Sequence, residues 1–202
     1  MEIERSSEMR ATRFLSSVCI ALSLCGAAAA GCASGDSGSR AKVDEAVGLI
    51  GSSQTLLEDL LELDGRFNTL GTRFTDVEDT IAEGKSLAET AVIDVDELES
   101  RYTRARDLLR EVADTEGSGA YAEYARLILV AVEKELEAMD RNRKLLATVW
   151  DMLDVLPLAQ DQEQLSYYVQ EIDRLTAEIS GLMQEGAEAA GKADGYREER
   201  GL

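Results

Sequence analysis

The chain has 202 residues, with 40 acidic against 21 basic side chains, a formal net charge of -19, one proline and no histidine. A surface of that sign repels nucleic acid and anionic lipid headgroups. The missing histidine removes the commonest general base, the Ser-His-Asp and Cys-His arrangements and the usual zinc ligand sets.

The N-terminal segment has the three parts of an export leader: a basic start at Arg10 and Arg13, an apolar stretch over residues 14–24, and small residues up to Gly31. The apolar stretch is shorter than the roughly 20 residues a bilayer span takes, so cleavage is expected rather than retention. Glu2, Glu4 and Glu8 suit such a leader poorly, and a start at Met9 suits it well.

The run Ala29-Ala30-Gly31-Cys32 closes this segment. It resembles the lipobox of bacterial lipoprotein signals, in which small residues precede an obligatory cysteine. Ala29 stands where that family more often has leucine, and Cys25 fits poorly because Leu24 precedes it. The resemblance covers only the first 32 residues. It implies cleavage between Gly31 and Cys32, diacylglyceryl and further acyl groups such as palmitate on Cys32, and attachment to the bacterial cell membrane on its extracytoplasmic side. With Cys19 and Cys25 removed in the leader (residues 1–31), Cys32 would be the single thiol of the mature chain, so no disulfide can form within it. Two or three acyl chains, each contributing about 0.8 kcal/mol per buried CH2, supply the multiple signals that stable anchoring requires.

Residues 32–40 read as the acylated cysteine and a flexible Gly/Ser-rich tether reaching roughly 15 Å. The remainder, rich in Leu, Ala, Glu and Arg and poor in aromatics, is expected to be all-α. The helical domain spans residues 41–193, and residues 194–202 read as a flexible tail.

Apolar residues recur at alternating spacings of four and three. One series runs from Leu56, Leu60, Leu63, Phe67, Leu70, Phe74, Val77 and Ile81 through Ala88, Ala91, Val95, Leu98, Tyr102, Ala105, Leu109 and Val112. A second contains Tyr121, Ala125, Ile128, Val132, Met139, Leu146, Val149, Leu153 and Leu156, and a third Leu165, Tyr168, Ile172, Leu175, Ile179 and Leu182. Such seams belong to helices that bury against one another as coiled coils do.

Breaks are less sharply marked. Asp64-Gly65 or Gly71 could end a first helix over residues 41–63. Asp94 with Glu97, flanked by Ile93 and Leu98, has the form of a capping box with a hydrophobic staple. The seam keeps its phase across both points, which leaves a continuous helix open. Residues 114–119 (Asp-Thr-Glu-Gly-Ser-Gly) form the clearest turn, and Pro157 should end or kink the helix before it.

Two architectures fit: an antiparallel coiled-coil hairpin of two long helices, or an elongated antiparallel bundle of four to five. The run of residues 127–132, apolar on every face, wants neighbours on more than one side and favours the bundle, with a hairpin protruding at residues 115–119. Residues 53–100 and 145–202 are strongly acidic, whereas residues 101–144 carry nine acids and nine bases. Folding back near Gly117 is expected to put that balanced stretch at the turn, away from the tether.

No catalytic, cofactor or metal site is expected. The ferritin-like di-iron pattern needs Glu-x-x-His, and the acidic run at residues 94–99 lacks the glycine and the final glutamate of a calcium loop. Asp151 and Asp154 are helical neighbours on an acidic surface, where such pairs arise by chance. Trp150 lies one position off its seam, and only one of Tyr167 and Tyr168 can point fully inward, which leaves the other for a partner surface. Glu135 and Asn142 stand on seam positions, where polar groups can fix register or meet another chain; a solvated bundle edge is the simpler account.

Two functional classes follow. One is a non-enzymatic, lipid-anchored spacer, scaffold or protein-interaction module of the bacterial envelope, binding another protein or a second copy of itself. The other is a ligand-binding or transport-accessory lipoprotein holding an apolar or cationic ligand between helices.

Overall fold

The seams settle into five α-helices in a computed structural model that describes residues 37–70, 77–115, 119–156 and 162–202. They are α1 (Ser37–Gly51), α2 (Gln54–Leu70), α3 (Val77–Ala113), α4 (Ala120–Val155) and α5 (Gln162–Arg200). No strand occurs among the described residues, and the protein is an all-α helical bundle. The leader, Gly31, Cys32, Gly71, Phe74, Gly117 and Pro157 lie outside the described residues.

The helices contribute to two compact units. The first takes Leu56–Asp96 and Met139–Ser180. Within it α2 runs antiparallel to α3, because Arg66 pairs with Glu83 (3.8 Å) while Asp59 lies near Asp94. The segments of α3 and α4 are antiparallel too: Arg143 pairs with Asp96 at 2.6 Å, and Lys85 pairs with Asp154. Arg141 then ties α4 to Glu178 of α5 at 3.1 Å. Leu60, Leu87, Val95, Leu145, Ile172 and Leu175 are buried in this unit.

The second unit takes residues 37–55 with Glu97–Ala138 and Gly181–Leu202. Here α1 runs antiparallel to α3, with Lys42 on Glu111 (2.6 Å) and Glu45 on Arg104 (2.7 Å). Arg110 reaches Glu133 of α4 at 2.7 Å, and Lys134 reaches Glu185 of α5 at 2.9 Å. Val43, Leu98, Tyr102, Leu109, Ile128 and Ala193 fill the centre. These pairs are all solvent-exposed and select register more than they add stability; burying the apolar seams supplies the driving force, at about 25 cal/mol per Å².

Several expectations about boundaries change. Helix α1 begins at Ser37, inside the stretch read as tether, and the run expected as one helix over residues 41–63 is broken at Ser52-Ser53. Both serine hydroxyls there donate to the Leu49 carbonyl, at 2.8 and 2.9 Å, competing with the backbone for a helical acceptor. Arg101 adds a hydrogen bond from Nη1 to the Ser52 carbonyl at 2.7 Å. Asp64-Gly65 and Asp94 both lie inside helices, since the in-phase seams on either side outweigh the local cap signals. The expected tail from residue 194 is instead helical to Arg200, held by buried Ala193. It ends in a Schellman cap, with the Gly201 N–H donating to the Glu198 carbonyl, the Leu202 N–H to that of Arg197, and Gly201 at φ +65°.

The expected charge layout is also corrected. The balanced stretch does follow into the turn after Ala113, but Arg104 and Glu111 pack on the first turns of α1, so the turn and the beginning of α1 lie at the same end of the second unit.

Candidate functional site

Helix α4 carries Glu135 on the same seam as Ile128, Val132 and Met139, so the spacing that buries those residues carries the carboxylate inward with them. It is 3 % exposed, which replaces the solvated edge expected from sequence. Helix α3 brings Tyr102, 1 % exposed, to the same level, and α5 brings Gly186. A β-carbon on Gly186 would stand 3.0 Å from Glu135 Oε1 and 3.7 Å from the Ala131 carbonyl oxygen, so the missing side chain makes room for the carboxyl group. Ala131, Ala189 and Ala190 form a small buried cluster between the same two helices.

Glu135 Oε1 has no hydrogen-bond partner among the described residues. Burial pushes the Glu135 carboxyl up from the usual range to about 8, because removing a charge from water costs more than the neighbouring groups return. Burial also raises the Tyr102 hydroxyl, and the nearby Glu135 adds to that shift. At neutral pH the site therefore holds a neutral carboxylic acid beside a neutral phenol. It can store and release a proton; a neutral acid is a poor counter-ion for a cation. Lys134, next in sequence, points elsewhere, its Nζ reaching Glu185 at 2.9 Å and Glu137 at 3.4 Å.

Of the other residues singled out from sequence, Trp150, Asn142, Asp154, Tyr167 and Tyr168 belong to the first unit. In the first unit Trp150 is half-buried with the Lys85 ammonium 5.3 Å from its ring centroid. Tyr167 is 64 % exposed, while Tyr168 turns partly inward, their rings meeting edge to face at 5.5 Å. Asn142 is half-buried. Of the acidic run at residues 94–99, Asp96 accepts from Arg143 and Glu97 from Arg101. Burial, and after it the charge of Asp59, raises Asp94. Asp154 is engaged by Lys85. Among the described residues no group of three or more potential ligands is placed to hold a metal ion, and no helix is long and apolar enough to cross a membrane.

Sequence reading found Glu135 as a polar residue on a seam but had no signal for Gly186. The third apolar series stops at Leu182, and the buried face continues through Met183, Gly186, Ala190 and Ala193, mostly too small to register as a hydrophobic stripe. No protein-family model matches the chain, and it matches neither a curated protein nor a solved structure.

Proposed function

We propose that this is a lipid-anchored, non-enzymatic helical protein of the bacterial cell envelope, acting as a spacer, scaffold or protein-interaction module. The observation that carries the reading is the run Ala29-Ala30-Gly31-Cys32 at the end of an apolar leader, followed by a chain without histidine. Acyl chains on Cys32 would hold the protein at the membrane surface while the helical bundle faces the extracytoplasmic side. Support for a contact role comes from large apolar side chains left exposed on the helices. Ile93 is 67 % exposed beside Val92, Tyr167 is 64 % exposed, and Val130 of the second unit is 49 % exposed. Aromatic and aliphatic groups of this kind anchor protein interfaces.

Mass spectrometry of the mature N-terminus tests the anchor. The expected product begins at Cys32 and carries the added mass of a diacylglyceryl group, and the Cys32→Ser variant leaves the membrane fraction. A mature protein with an unmodified thiol that partitions with soluble proteins overturns the proposal. Affinity capture from envelope extracts then separates the two functional classes: a stoichiometric protein supports the interaction module, whereas a co-purifying lipid or small cation supports ligand handling.

A further inference from the structure

The acid at the centre of the second unit is built in a way that stability alone does not require. A leucine or methionine at position 135 would complete the seam. The chain instead places a carboxyl group there, leaves position 186 without a side chain to accommodate it, and gives Oε1 no hydrogen-bond partner among the described residues. Buried polar groups lacking partners cost more than an apolar core of the same shape.

The polar and charged groups on the helices of this unit offer the ionised form of this carboxyl group little relief. From α3 comes the Tyr102 ring, with Arg106 one turn further on engaged by Asp107 at 3.0 Å. From α5 comes Gly186, with Glu185 beside it held by Lys134. On α4 itself Glu133 is engaged by Arg110 and Glu137 by Lys134. On α1, Lys42 and Glu45 are spent on Glu111 and Arg104, and buried Ser53 gives its hydroxyl to Leu49. No described ion pair includes Glu135, so a negative charge there would be held inside the bundle with its hydration removed.

We propose that Glu135 is a proton-controlled latch between α4 and α5: protonated, its carboxyl group packs against Gly186 and the two helices stay closed; ionised, it opens that stretch of the second unit to water. The direction of control follows from linkage. Burial raises the carboxyl from 4.5 to about 8, so the closed form holds a proton that the opened form gives up between those values. Closure is complete below the ordinary glutamate range and weakens as pH rises toward the folded value. A protonated acid serves as a structural part at acidic and neutral pH, and an alkaline shift releases the helices. The latch depends on the bundle alone and stands or falls separately from the lipid anchor.

Hydrogen exchange of the full chain at pH 5 and pH 9, with rates corrected for intrinsic exchange, tests this. In the unsubstituted protein, the opening constant for amides of residues 128–138 and 183–193 is expected to rise tenfold or more at the higher pH. The Glu135→Gln variant keeps the shape without the titration, and it should remain protected at pH 9. Equal protection at both pH values in the unsubstituted protein, or an equal loss in the glutamine variant, overturns the latch. A direct readout that needs no variant is the carboxyl titration of Glu135 by carbon NMR: a midpoint near that of free glutamate overturns the proposal, and one displaced upward by several pH units supports it. Asp64→Asn serves as the control, because removing this other raised carboxyl should leave the pH response of the second unit in place; its disappearance there would assign the switch to Asp64 and overturn the assignment to Glu135.

Discussion

Gly186 on α5 stands directly against the carboxyl group of Glu135 on α4, at a separation where an added methyl group would crowd the carboxyl oxygen. An alanine at 186 would place its β-carbon 3.0 Å from Oε1 and push a side chain that is already buried. Overpacking of this kind costs about 1–3 kcal/mol, while replacing a helical glycine by alanine contributes about 0.5–1 kcal/mol in the other direction. Gly186→Ala should therefore lower stability by about 1 kcal/mol, the difference between those two effects. Gly181 lies on the same helix, is exposed, and has nothing within 4 Å of an added β-carbon. Gly181→Ala should raise stability by about 0.5–1 kcal/mol. Denaturant midpoints of the two variants should move in opposite directions, and a common direction would show that Glu135 does not confine position 186.

The run of residues 127–132 is apolar on every helical face, yet the fold covers it unequally. Ile128 is 1 % exposed and Val130 is 49 % exposed. Truncating Ile128 to alanine removes buried methylene groups and leaves a cavity, costing about 2–5 kcal/mol. The Val130→Ala change should stay within about 0.5 kcal/mol, as surface substitutions do. If Val130 belongs to a partner surface, the same variant should weaken capture of that partner while leaving the melting temperature of the isolated protein in place. Similar losses of stability from both substitutions would mean that the outer face is covered too.

Helix α3 leaves its final carbonyl groups pointing toward the turn, and Arg126 of α4 takes one of them, donating from Nη2 to the Ala113 carbonyl at 2.8 Å. A cation at a helix C-terminus satisfies an orphan acceptor and complements the macrodipole. Arg126→Met keeps most of the aliphatic stem and removes the donor. Its cost should be about 1 kcal/mol, the usual contribution of such a bond. The loss should be local: faster hydrogen exchange in the last turn of α3, with the amides around Ala91 and Val95 unaffected. Uniform acceleration along the whole helix would contradict a capping role.

Particular positions show where the fold was legible. Ala88, Ala91, Val95, Leu98, Tyr102, Ala105, Leu109 and Val112 recur at helical spacing, and every one is buried, because a long seam reports many independent placements of the same face. The junction at Ser52-Ser53 escaped for the same reason. Val43, Ala46, Ile50, Ser53, Leu60 and Leu63 stay in one phase through the break, and Ser53 is itself fully buried on that face. Periodicity reads which side faces inward; it does not read whether the backbone between two turns is continuous. The Asp94 cap signal failed in the opposite way, since its residue types suit a helix start while Ala91 and Val95 on either side are already committed to one buried stripe. At the site, Glu135 was visible as a polar residue on a seam. Its partner Gly186 was not, because hydrophobic patterning has no weight for a residue whose contribution is missing volume.

The first unit contains a second carboxyl group whose titration should be measurable. Asp64 lies within α2, and partial burial raises it from 3.8 to about 7. The folded protein therefore binds a proton more tightly at this position than the unfolded chain does. Its contribution to stability is fully present below about pH 4 and declines as pH rises toward 7, where the folded group ionises too. The general repulsion within a chain of net charge -19 acts in the same direction, so the informative quantity is a difference between proteins. Denaturant unfolding of the unsubstituted chain and of Asp64→Asn at pH 4 and pH 8 isolates it. The asparagine variant removes the titration, and its stability should fall less across that interval than that of the parent protein. Parallel loss in the two would place the Asp64 carboxyl in the ordinary range. Paired with Glu135→Gln under the same conditions, the measurement also separates the two carboxyl groups: independent sites add, and a difference between the summed single effects and the double variant would reveal coupling between them.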